Sequence, residues 1–286
     1  MWIIFALLAA FFFGLRGILY QRYSRKGSDR YLVLLGVFLT GFVVSLSMVL
    51  IAHHRIYTTA GIWVGLSMGV ASFLGNMTLY RGFATGKTSI VGVFAGTIPL
   101  FTVVLALVIW NERLSWMQLL AFVMIFFGIY LIHNANELSF KDLKGAEWGL
   151  AAAFCFAMND LLSKQSTLLH SDVFASLTLM FASGSLMFAI TWWRIRASEA
   201  GKAVVHASRS SFFTGVGIGI INVLGVFMIL NAFKTGKTGL VSALTAMSIL
   251  VILTYSRMIL KETFARIEVI GIVFALLGIV VLRLGG

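Results

Sequence analysis

Residues 81–132 recur as residues 231–282 at a constant offset of 150 positions and without a gap. RGFATGKTSIV lies over NAFKTGKTGLV, Glu112 over Glu262, and Gly128 and Ile129 over Gly278 and Ile279. Twelve of these 52 positions are identical, and Thr85, Gly86, Lys87, Thr88 and Glu112 are among them, which a shared apolar composition alone would not align. Upstream, Asp29 lies over Asp172 and Gly41 over Gly184, both 143 apart. A chain built this way folds as two like units, with the first expected over 1–140 and the second over 145–286.

Composition says where the units reside. Hydrophobic residues make up 60% of the 286, charged residues 11%, and mean hydropathy is +0.98, far from the balance of a water-soluble chain. A crossing helix takes about 20 apolar residues. Ten segments qualify, near 2–20, 31–52, 61–80, 89–110, 115–133, 146–168, 172–193, 211–231, 239–260 and 266–283. One proline and 28 glycines suit closely packed membrane helices. No basic residue precedes the first apolar run, so it reads as a span rather than a cleaved leader. The single Cys155 gives no disulfide. The net charge of +12 fits basic loops beside apolar spans, with the lipid bilayer rather than nucleic acid as the partner.

Each unit then holds five helices, and an odd number of crossings inserts the second unit upside down relative to the first. The expected fold class is an all-α polytopic membrane protein with ten transmembrane helices as two inverted five-helix repeats. Loop charge tests the inversion separately. The loops after spans 1, 3, 5, 7 and 9 carry fourteen Lys and Arg, among them Arg22, Arg25, Lys26 and Arg30, and the opposite side carries six. Basic loops stay inside, which places both termini outside the cytoplasm.

The helix pair joined by FATGKTSIV, the span carrying Pro99, the following WNERLS and the apolar helix closing on FFGIYLI resemble the repeat of the EamA family of the drug/metabolite transporter superfamily. The resemblance runs over essentially the whole chain twice. It implies a ten-helix carrier with a central cavity between its halves, moving small metabolites, commonly outward. It also implies cytoplasmic termini, against the charge count; the strongly basic first loop favours the count. The second unit departs from the pattern, with Ile249 in place of Pro99 and KETF in place of NERL, so nothing in its sequence calls for a kink in span 9.

A charge inside the hydrocarbon layer is costly and is a pathway candidate by default. Arg16, Asp160 and Arg257 lie well within spans. At the 143 offset Arg16 falls on Asn159 and Gly17 on Asp160, which puts the two charges Arg16 and Asp160 at nearly symmetry-related places near the midplane. Arg257 falls on the apolar Leu107. Each has a structural reading as well: Asp160 and Lys164 are spaced as a helix ion pair, and the arginines can snorkel. Two cations against one acid favour an anionic group on the substrate.

Span 3 adds Ser72, Asn76 and Tyr80 at four-residue steps, and Asn222 in span 8 falls on Ser72. These side chains either line a cavity or bond between helices. Thr97 and Thr245 are further cavity candidates, and Gly65, Gly69, Gly215 and Gly219 fit helix packing. Glu112 and Glu262, at span ends, suit a turn or helix-end role. TGKT lacks the earlier glycine of a phosphate loop, since positions 81 and 231 are Arg and Asn; Lys87 and Lys237 read as membrane-surface anchors. His53, His54, His133, His170 and His206 have no metal-ligand spacing, and no catalytic triad or cofactor site is visible.

The expected function is a secondary transporter of a small metabolite in the cell membrane, working by alternating access, with amino acids or organic anions as exported substrates. It is not expected to be an enzyme. An exporter of lipophilic or cationic compounds centred on Asp160, and a lipid-handling or structural membrane protein, are the alternatives.

Overall fold

The computed structural model describes residues 1–24, 29–51, 58–86, 88–134, 144–197, 209–259 and 265–284. Lys87, Glu262, His53, His54 and His206 lie outside them, as do Arg25, Lys26 and several other basic loop residues of the charge count. The described residues form helices α1 (Trp2–Ser24), α2 (Arg30–Ile51), α3 (Thr59–Thr85), α4 (Thr88–Ala95), α5 (Ile98–Trp110), α6 (Trp116–Asn134), α7 (Ala146–Leu168), α8 (Val173–Ala197), α9 (Arg209–Thr235), α10 (Thr238–Ala246), α11 (Ser248–Met258) and α12 (Arg266–Leu284). The protein is an all-α polytopic membrane protein: α4 with α5 and α10 with α11 each make one crossing, and the described residues make ten crossings.

Eight of these crossings are long and apolar enough to span a membrane, and α6 holds a shorter apolar stretch at Trp116–Ile132. Helix α7 does not reach that apolarity. Its surroundings compensate, because it packs against α3, α4, α5, α9 and α10 and hands Asn159, Asp160 and Lys164 to protein rather than to lipid.

Local signals set the helix ends alike in the two halves. The Asp29 Oδ1 accepts the backbone N–H groups of Tyr31 and Leu32 at 2.9 and 3.3 Å, and the aligned Asp172 Oδ1 accepts that of Ala175 at 2.9 Å, so both acids cap the helix that follows. Ser115 and Gln118 bond each other's backbone N–H at the start of α6, a capping box. At the aligned place in α12 the Glu268 side chain accepts the Ala265 N–H. Gly145 enters α7 at φ 95° with its α-carbon against Gly86, a conformation and an approach that both exclude a side chain.

Proline was the expected cause of a kink in span 4, with none called for in span 9. The structure breaks both, at positions 150 apart. Thr97 has φ −79° and ψ 3°, and Met247 has φ −66° and ψ −1°. At each break the chain closes three-residue turns, from Leu100 N–H to the Thr97 carbonyl at 3.0 Å and from Leu250 N–H to the Met247 carbonyl at 2.9 Å. Pro99 therefore accompanies one break without being the cause of both.

Packing follows the same correspondence. The buried face of α1, Ala6, Ala9, Ala10, Gly14 and Ile18, reappears 143 residues later as Gly149, Ala152, Ala153, Ala157 and Leu161. α1 packs on α9 as α7 packs on α3, while α2 meets α8 and α6 meets α12. At the α2–α8 crossing a Cβ on Gly41 would lie 2.5 Å from the Phe181 ring and one on Gly184 2.4 Å from the Phe38 ring. The glycines expected to set packing do so: Gly65 and Gly69 face Leu179 and Met180 of α8, and Gly215 and Gly219 face Val33 and Val37 of α2. Such close approach supplies the dispersion that holds helices together in lipid, where the hydrophobic effect gives no preference.

Candidate functional site

A crevice with an empty volume of about 680 Å³, its mouth included, lies between α1, α2 and α3. Tyr20, Tyr23, Arg30, Asn76, Tyr80 and Phe83 supply its rings and polar atoms, with Val33, Leu34 and Leu79 between them. Local geometry fixes these groups. Tyr80 takes the edge of Tyr31 at 5.3 Å, and the Arg30 guanidinium lies 5.0 Å from the Tyr80 ring centre. Asn76 ties its amide nitrogen to the Ser72 carbonyl one turn back, at 2.8 Å. Asn76 and Tyr80, chosen from the polar stripe of span 3, are thus brought together, whereas Ser72 is buried behind them.

Arg16 stands one turn deeper on α1 than Tyr20. Its guanidinium lies 5.9 Å from the Tyr20 ring and 4.7 Å from that of Phe13, and its Nη1 donates to Asn222 Oδ1 on α9 at 2.6 Å. The buried Nε donates to no described protein atom. Tertiary structure therefore joins two sequence candidates, Arg16 and Asn222, from the two halves. Asn159, the counterpart of Arg16, has a buried Oδ1 without a donor among the described residues.

Asp160 occupies a separate place. Its Oδ2 accepts from Ser242 Oγ on α10 at 2.6 Å and faces Thr102 Oγ1 on α5 at 3.4 Å. The carboxylate thus connects α7 to one piece of each broken span. The expected pairing with Lys164 does not form: Lys164 Nζ donates to the carbonyls of Phe233 and Gly236 at 2.8 and 2.9 Å, at the C-terminal end of α9, where helix carbonyls favour a cation.

Arg257 departs from expectation. It lies exposed in the last turn of α11, beyond the apolar stretch Thr238–Tyr255. Gly14 and Gly17 of α1 pack on Val251 and Ile252, so Arg257 is past the level of Arg16, towards the end where the crevice opens. Thr97, at the break, donates its hydroxyl to the Phe94 carbonyl of α4, and Thr245 to the Val241 carbonyl of its own helix.

The end remote from the crevice mouth is tied shut by side chains. Both Glu112 carboxylate oxygens accept the Thr238 N–H, at 2.9 and 3.0 Å, which places an acid on the N-terminus of α10. Lys237 is not a membrane anchor; its Nζ donates to the Arg113 carbonyl and to Gln118 Oε1. Residues 238–244 are all buried, while in the matching α4 only Ile90 and Val91 are buried among the residues whose burial is described.

Sequence reasoning missed Ser242 and Thr102, as well as Tyr20, Tyr23, Arg30 and Phe83. Tyr20 was within reach, being four residues from Arg16. Thr102 is the one hydroxyl in α5, but nothing in its own segment relates it to Asp160.

The described residues thus form a helical bundle with two broken spans and a crevice that is largely apolar and ring-lined, with a few polar groups in its wall. The model of the EamA-like transporter family matches residues 1–133 and again residues 143–284, and the chain belongs to that family. By its description, that family is one of transporters. The S-adenosylmethionine uptake transporter of Rickettsia prowazekii (strain Madrid E) is 26% identical over 200 residues, which cover 68% of this chain and 64% of that protein. A crystal structure of a protein 14% identical in sequence superposes with a TM-score of 0.80, over 99% of this chain and 96% of the other, and shares the fold.

Proposed function

We propose that the chain is a secondary carrier in the cell membrane for a small metabolite bearing both a carboxylate and a flat ring, bound in the crevice between α1, α2 and α3. The observation that carries this reading is the composition of the crevice. Tyr20, Tyr23, Tyr80 and Phe83 offer ring faces, Arg30 stands at the wall, and Arg16 lies beneath Tyr20 with donor capacity left over at Nε. Ring faces stack a planar group and a guanidinium pairs a carboxylate.

S-adenosylmethionine, with its adenine and carboxylate, meets this description and is the compound carried by the relative named above, which makes it the first substrate to try. The two five-helix units, 1–140 and 145–286, are read as rocking about the crevice, with the Glu112 end closed in the state described. The basic end, including Arg22, Arg30, Arg81, Arg194 and Arg209, is assigned to the cytoplasm, which puts the termini outside and opens the crevice inward.

The test is uptake of labelled S-adenosylmethionine by the purified chain in liposomes. Competition should be strongest from compounds with both groups, and weaker from adenosine or methionine alone. Transport of cationic dyes with no competition from carboxylates would reverse the assignment and favour the cationic alternative.

A further inference from the structure

We propose that Asp160 is the coupling site of the transport cycle: it binds and releases one proton at a place apart from the substrate crevice, and its protonation governs how firmly α7 is tied to the two broken spans. The proposal rests on the reading of the chain as a carrier. The reaction is protonation alone, carboxylate plus proton giving the carboxyl group, with the proton taken from solution at one end and returned to the other.

The geometry supports this in three ways. First, Asp160 does not line the crevice, so a proton there need not compete with substrate. Second, its partners are the hydroxyls of Ser242 and Thr102, and among the described residues no cationic side chain bonds to it. Third, those hydroxyls sit on α10 and α5, one piece of each broken span and one from each half of the chain, so a single carboxylate reaches both discontinuous elements.

Among the described residues the neighbourhood holds no rival titrating group. Helices α4, α5 and α10 carry no titratable side chain. On α3, Tyr80 is in the crevice and Arg81 lies over the Trp148 ring. On α9, Arg209 and Lys234 are at the two ends. Within α7, Glu147 is in the first turn, Cys155 stands more than one turn away, and Lys164 is bonded to the Phe233 and Gly236 carbonyls. Glu112 is engaged with the Thr238 N–H.

Hydrogen count explains how a proton acts. Thr102 has one hydroxyl proton to donate, and its Oγ1 lies 3.0 Å from the Ile98 carbonyl oxygen and 3.4 Å from both Asp160 Oδ2 and Ser242 Oγ. Ser242 has one, directed at Asp160 over 2.6 Å. With Asp160 ionised the Ser242 bond is charge-assisted. With Asp160 protonated it is neutral and roughly half as strong, which loosens α7 from α10 and lets the broken spans shift.

The full chain in liposomes tests this with two readouts. In infrared difference spectra between acid and neutral pH, the wild type should show the carbonyl stretch of a protonated carboxyl that Asp160→Asn removes and Ser242→Ala displaces. With S-adenosylmethionine as probe, Asp160→Asn should lose accumulation driven by a pH gradient while still exchanging label between compartments of equal pH. An unaltered infrared band in Asp160→Asn, gradient-driven accumulation retained by that variant, or loss of exchange in both variants overturns the proposal. If the wild type carries no S-adenosylmethionine at all, the substrate assignment fails and the infrared band alone decides Asp160.

Discussion

The Glu112 carboxylate, at the end of span 4, holds the Thr238 N–H at the start of α10 through both of its oxygens, at 2.9 and 3.0 Å. One unit thereby caps a helix of the other, at the end opposite the crevice mouth. Removing the acid by Glu112→Ala deletes a helix N-terminal cap, with a cost of about 1 kcal/mol. That shift moves a two-state equilibrium by about fivefold. A cysteine placed at the buried Ala243 of α10 in a Cys155→Ser background should then react correspondingly more often with a membrane-impermeant maleimide.

Arg16 and Arg257 are expected to separate. Arg16→Gln keeps a donor for Asn222 but removes the charge, and a hydrogen bond to a charged group contributes about 1.5–3 kcal/mol. The apparent affinity for a carboxylate substrate should fall roughly tenfold to a hundredfold, with insertion intact. Arg257→Gln, at the exposed end of α11, should transport as the wild type does. Liposome uptake curves for both variants check the pair of outcomes, and equal loss in both would remove Arg16 from any special role.

The α2–α8 crossing should tolerate no side chain at Gly41 or Gly184. Leucine at either position overlaps a phenylalanine ring and should cost about 1–3 kcal/mol by overpacking. Thermal unfolding in detergent would show it. A smaller ring-side residue, Phe181→Ala with Gly41→Leu, should recover part of the loss, because the two changes share one contact.

Pro99→Ala should leave transport intact and change stability by less than about 1 kcal/mol. The motivation is Met247, which adopts the Thr97 backbone conformation with Ile249 in the proline's place. Collapse of transport in a well-inserted Pro99→Ala protein would show that the first break depends on the ring after all.

Reporters active on one side of the membrane, attached to the C-terminus and beside Arg30, decide orientation. The charge distribution expects an external C-terminus and an internal first loop. The reverse pattern would turn the crevice outward and change the direction of the cycle described.

Much of the fold was legible in the chain. The offset of 150 that aligns residues 81–132 with 231–282 also aligns α3 with α9 and α6 with α12, since both copies of a repeated segment meet the same lipid and the same caps. Asp29 and Asp172 were visible as a matched pair because capping is local. The charged positions Arg16 and Asp160 were legible for a similar reason: a charge among apolar residues stands out wherever it lies.

Tertiary structure decided what those charges meet. Arg16 reaches Asn222, 206 positions away, and Asp160 reaches Ser242, 82 positions away; no periodicity within one helix specifies a partner on another. Lys164, four residues from Asp160, looked like its counter-ion, yet the carbonyls at the end of α9 take it. The break at Met247 left no mark in its own residues. Sequence determined which segments enter the membrane and that they come in two copies, because hydropathy and repetition act residue by residue; the crevice, the Asp160 bridge and the closed end arise from packing between helices, which depends on where separate segments meet.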